Sequence, residues 1–115
     1  MRQGALYRAG SPQCLVPHVS LTTNAWDRLR GLLGRPPLQT GQALLIEPCP
    51  SVHTFGMGYP LDLVFLDANY TVLKTVERLA PRRWAGCSCA RATLELAPGS
   101  LATLHLAIGE RLEWR

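Results

Sequence analysis

The sequence predicts a mainly β fold, a β-rich α+β domain built as a small closed or half-closed barrel with one or two short helices. Three observations carry that prediction. Short apolar runs recur at 43–46, 61–67, 70–76, 93–96 and 111–114. Gly, Pro and Asn punctuate the chain between them, as turns require. Only two stretches, about 25–33 and 100–108, space their apolar residues at helical intervals.

Residues 1–12 are polar with Gly10, Ser11 and Pro12, and read as a leading extended segment or edge strand. Cys14 to Leu21 alternates weakly and suits a short strand. Thr22-Thr23-Asn24 supplies an N-cap for a helix over 25–33. In it Trp26, Leu29 and Leu33 fall at i, i+3 and i+7 on one apolar face, and Gly34 closes the helix before Pro36-Pro37. Ala43-Leu44-Leu45-Ile46 is a buried strand. Leu61–Asp67 and Tyr70–Val76, joined through Asp67-Ala68-Asn69, predict a β-hairpin. Residues 78–91 are basic and irregular. Thr93-Leu94-Glu95-Leu96 is a strand, Ser100 caps a short helix stopped by Gly109, and Arg111–Trp114 closes the fold.

At 115 residues the chain forms one domain, 1–115, of a size that buries a core without metal or disulfide help. With 47% hydrophobic and 17% charged residues it is globular rather than disordered, and at 7% aromatic its core is aliphatic. No run of about 18 apolar residues occurs, so no membrane-spanning helix is expected. The first eight residues lack the apolar stretch of a signal peptide, so the expected compartment is the cytoplasm. There Cys14, Cys49, Cys87 and Cys89 are expected as thiols. The formal net charge is +4, and Lys74 is the one basic residue that is not Arg.

Five motifs stand out: Arg28-x-x-Gly31-Leu32-Leu33-x-Arg35, His53-Thr54-Phe55-Gly56-Met57, Pro60-Leu61-Asp62-Leu63-Val64-Phe65-Leu66-Asp67, Leu94-Glu95-Leu96-Ala97-x-Gly99 and Gly109-Glu110-x-Leu112. Together they resemble the DUF192 family, a widespread prokaryotic group without an established activity. The resemblance covers about 14–114 and is to the branch with a His-Thr-Phe segment. It implies a compact β-rich fold and supplies no reaction. Gly58 stands where relatives of this branch commonly carry Arg.

The candidate site is the loop–strand junction 53–62. Asp62 is a carboxylate inside an apolar strand and needs a partner. His53 or amides of the Gly-bearing loop are the expected partners. His53, Thr54, Met57 and Asp62 would then line a ligand site for a small molecule or a protein, in a binding or interaction module. The alternative is a hydrolase using His53 with Asp62 or Glu95 as acid–base groups. By strict alternation, however, Glu95 faces water opposite two buried leucines.

No cofactor is expected. Metal binding is not expected either, although Cys49, His53, Cys87 and Cys89 form the one Cys3His combination available for a zinc-stabilised module. Arg78, Arg82, Arg83 and Arg91 with Trp84 carry no nucleic-acid recognition spacing. They read as a solvated basic loop with Trp84 packed over the barrel end, so nucleic acid is not an expected partner.

Overall fold

Nine strands and two short helices succeed one another through residues 1–115, all of which the computed structural model describes. They are β1 (Arg2–Arg8), β2 (Cys14–Leu21), α1 (Ala25–Arg30), β3 (Gln42–Ile46), β4 (Ser51–His53), β5 (Leu61–Leu66), β6 (Val72–Leu79), β7 (Trp84–Gly86), β8 (Ala92–Leu96), α2 (Ser100–Leu104) and β9 (Leu112–Trp114). Seven of them form one sheet in the order β6-β5-β8-β3-β2-β1-β9, while β4 and β7 pair as a separate ribbon. The sheet curls until its ends meet. Thr71 bridges Arg111, Val72 N–H donates to Glu110 O at 2.8 Å, and Leu112 N–H donates to Tyr70 O at 2.9 Å. This is the half-barrel that the short, closely spaced apolar runs predict.

The sheet is covered on both faces. Leu6, Val19, Leu45, Val64, Leu94 and Leu112 fill the barrel interior, joined by Leu101 of α2. On the outer face Leu44, Leu61, Leu63 and Phe65 lie beneath Leu32 and Val52, which come from the loop after α1 and from the ribbon. Full burial of a Leu or Phe side chain contributes about 1.5–3 kcal/mol, so this second layer is a substantial part of the core. It also makes β5 and β8 buried at every residue.

The hairpin β5–β6 forms as predicted. In its turn Asp67 Oδ1 accepts from Asn69 N–H at 2.8 Å and Thr71 N–H at 2.9 Å, as a turn aspartate does. The Thr71 bond is the main reason its carboxyl titrates below the ordinary range.

Four expectations change. The leading segment is no edge: β1 pairs with both β2 and β9, and Gly4 lets it approach Trp114 so closely that a Cβ there would lie 2.5 Å from the indole. Asn24 does cap α1, accepting from Asp27 N–H at 2.8 Å, but Gly31 at φ +54 ends the helix after six residues. With no second turn to present, Trp26 and Leu29 are 68% and 75% exposed, and only Leu32, beyond the helix, is buried. Helix α2 follows Gly99 at φ +90 without a side-chain cap and ends at His105 in the left-handed region, well before Gly109. The basic segment is not irregular throughout, because it contains the end of β6 and all of β7.

Candidate functional site

Strand β8 sends Leu94 and Leu96 into the barrel, so Glu95 between them points to the outer face, paired beside Leu44 of β3 and Leu63 of β5. Alternation predicts water on that side. Instead the outer layer roofs it, and Glu95 is only 4% exposed. The roof is folded by its own arginines. Arg35 Nε donates to Gly31 O at 2.8 Å, and Arg30 donates to Leu33 O at 2.9 Å and Gly34 O at 3.2 Å. Gly31 turns the backbone down over the carboxyl, and a Cβ on it would stand 3.7 Å from Glu95 Oε1.

Under this roof lies a cavity of about 90 Å³ whose lining includes Glu95, Arg28, Leu32, Cys49, His53 and Met57. Burial pushes the Glu95 carboxyl up to about 7, with no donor drawing it back down. Its charge also reaches Tyr59, whose phenol is raised first by burial and further by Glu95. No enclosed side-chain nitrogen or oxygen in the protein lacks a partner, so the Glu95 oxygens open onto the cavity. The chemistry on offer is a carboxyl that both donates and accepts near neutral pH, in a cavity that Arg28 and His53 also line.

Asp62 lies elsewhere. It is fully buried on the barrel side of β5, where Oδ1 accepts from Arg78 N–H at 2.8 Å and Oδ2 from Leu101 N–H at 2.9 Å. Leu61 pairs with Leu79 but Leu63 with Val76, so β6 bulges opposite Asp62 and offers it an amide. The expected partners, His53 and the 53–58 loop, are thus replaced by a bulge and the first turn of α2. The expectation of a solvated Glu95 fails because the sheet has two covered faces. Of the two acid–base pairings considered for His53, the structure brings only Glu95 into the same cavity, since Asp62 occupies the opposite face of the sheet.

Among the sequence candidates, His53 and Met57 line the cavity with Glu95, while Thr54 and Asp62 do not. Thr54 is fully buried within the polypeptide. Its hydroxyl donates to Ala80 O at 2.6 Å and accepts from Arg83 N–H at 3.0 Å, fastening the β4 end of the ribbon to residues 80–83. Lys74 Nζ adds a bond to Gly86 O at 2.9 Å, tying the ribbon to β6.

Trp84 does not pack over the barrel end. It is 65% exposed and meets His53 and Phe55 at ring-centroid distances of 5.2 and 6.0 Å. Cys49, His53, Cys87 and Cys89 do not assemble a metal site, because no three His, Cys, Asp or Glu side chains converge anywhere. Cys49 lines the cavity, and Cys89 is exposed. A Cβ on Gly58 would meet nothing within 4 Å, so an Arg there would leave toward open space.

Sequence reasoning missed the role of Arg28 and Gly31. The signal was available, since the Arg28-x-x-Gly31-Leu32-Leu33-x-Arg35 motif is the cavity roof.

Fold and site together define a small half-barrel domain with one roofed carboxyl cavity on its outer face. The chain belongs to the DUF192 family (Uncharacterized ACR), whose family model matches residues 8–114. Two solved structures share the fold. One is a proposed transcription regulator from Sinorhizobium meliloti 1021, with 22% identity over 97% of this chain and 92% of that chain, at a TM-score of 0.80. The other is a protein of unknown function from Novosphingobium aromaticivorans DSM 12444, with 18% identity over 97% of this chain and 84% of that chain, at a TM-score of 0.79. No curated protein matches the chain. No helix is long and apolar enough to cross a membrane.

Proposed function

We propose that the protein is a binding module that takes a small polar molecule into the roofed cavity, with Glu95 as its principal contact. One observation carries this reading: a buried carboxyl opens onto a cavity of about 90 Å³ while no protein donor holds it. Buried polar groups otherwise find partners, so a ligand donor, hydroxyl or amine, suits the position. The apolar part of such a ligand would lie against Leu32, Val52 and Met57. Methyl NMR with a library of small alcohols, amines and amides tests it. Selective shifts at Leu32, Val52 and Met57, lost in Glu95→Leu, are expected. Fragments that shift only methyls remote from the cavity would overturn the reading.

The shared lining of one cavity by His53 and a Glu95 carboxyl that burial pushes up to about 7 favours a second reading, proton transfer by Glu95. Turnover of ester or glycoside fragments in the same samples, abolished by Glu95→Gln, would support it.

A further inference from the structure

We propose that the outer face of the β4–β7 ribbon, formed by His53, Phe55 and Trp84 with Arg82 and Arg83 beside them, binds single-stranded nucleic acid. The three rings form a closed group, with centroids 5.2, 5.8 and 6.0 Å apart, yet Trp84 and Phe55 remain 65% and 44% exposed. Much of the surface of these two rings is therefore presented to solvent rather than used in the core.

Their support is Thr54, which lies between two of the rings in sequence. Thr54 N–H donates to Arg83 O at 2.9 Å, Arg82 N–H donates to Thr54 O at 3.2 Å, and Arg83 N–H reaches the Thr54 hydroxyl. These bonds hold the backbone of Arg82 and Arg83 against the ring-bearing loop, so both arginines start from anchored positions next to the rings, with the Arg83 guanidinium resting on Arg82 O at 3.2 Å.

Charge selects the partner. Residues 78–91 hold four arginines and no carboxylate, and residues 48–61 hold no Lys, Arg, Asp or Glu. The rest of the chain has eight basic and eight acidic residues, which cancel, so the whole formal excess of +4 lies in this one segment. A neutral sugar would use the rings and leave the guanidinium groups idle. An acidic peptide would do the reverse. Double-stranded nucleic acid hides its base faces. An unpaired strand offers both a π-face for each ring and a phosphate for each guanidinium. The surface meets the cavity only at His53, which borders both, and neither Glu95 nor a small ligand enters its test.

The test is fluorescence anisotropy with labelled 12-nucleotide oligo-dT and oligo-U, a 12-base-pair duplex, and anionic phosphatidylserine vesicles, across a salt series. Both single strands are expected to bind more tightly than the duplex, and the dT-to-U ratio assigns DNA or RNA. Trp84→Leu and Phe55→Leu keep apolar bulk but lose the stack, and each should weaken binding about 5- to 100-fold at an unchanged salt slope. The double variant Arg82→Ala/Arg83→Ala should lower the magnitude of the log–log salt slope by about 1.4. Arg2→Ala, on β1 and outside the ribbon, should leave affinity within about twofold, since one remote charge adds little at moderate salt. Equal or tighter duplex binding, insensitivity to Trp84→Leu, or tighter Trp84-dependent binding to the vesicles would each overturn the proposal.

Discussion

Asp62 and Glu95 sit on neighbouring strands, one register step apart, and face opposite sides of the same sheet. Asp62 pairs across from Leu96, and Glu95 across from Leu63. Both carboxylates are buried, but their circumstances differ. Asp62 is saturated by two backbone amides, whereas Glu95 is left to a cavity. The first is an internal fastener and the second is available for chemistry.

Asp62→Ala removes the acceptor of both Arg78 N–H and Leu101 N–H. Unpaired buried donors cost about 1–3 kcal/mol each, so a loss of about 2–6 kcal/mol is expected. Urea unfolding measures it directly. Asp62→Asn, which retains one carbonyl oxygen, should fall between the two. A wild-type midpoint in the Ala variant would show that neither bond contributes.

Glu95 makes stability depend on pH in a defined direction. Its carboxyl titrates at about 7 in the folded protein, against an ordinary value of 4.5. The folded state therefore holds the proton more tightly than the unfolded chain. The associated stability is fully present below about pH 4.5 and is lost as pH rises through about 7. At about 1.4 kcal/mol per pH unit, the window spans on the order of 3 kcal/mol. Glu95→Gln cannot titrate, so its curve should match wild type near pH 4.5 and rise above it at pH 8. Chemical unfolding of both proteins across this range checks the sign, and parallel curves would refute it.

Thr54→Val keeps the shape but deletes the hydroxyl that serves Ala80 O and Arg83 N–H. A destabilisation of about 1–3 kcal/mol is expected. Hydrogen exchange should accelerate at Arg82, Arg83 and Trp84 more than in β5 or β8. Uniform protection across the molecule would mean the ribbon is held by other contacts.

Gly4→Ala places a methyl 2.5 Å from the Trp114 ring and 2.9 Å from Arg115 O. Strand β9 must shift, at a cost of about 1–3 kcal/mol by analogy with overpacked cores. Altered Trp114 fluorescence accompanying the lower melting temperature would locate the strain at the β1–β9 pair.

The hairpin, the buried run of β3, the existence of strand β8 and the need of Asp62 for partners were all legible in the residue order, because local apolar pattern and turn chemistry determine them. The identity of those partners was not, since a bulge in β6 and the start of α2 are 16 and 39 residues away. Glu95 was misread for a different reason. Alternation locates the solvent only when one face of a sheet is bare, and here a second layer covers the other. Trp26 and Trp84 show the converse error: large apolar side chains were assigned to the interior, and the short elements bearing them turn them outward. Exposure of one such residue is ordinary, but three rings together on a ribbon are not.

Lys74 has a practical consequence. Each molecule carries a single ε-amine, and it is engaged with the Gly86 carbonyl of the ribbon. Acylation by an amine-selective reagent at that position therefore competes with seating of the ribbon on β6. The labelling rate of one atom becomes a readout of how often the outer layer lifts from the barrel.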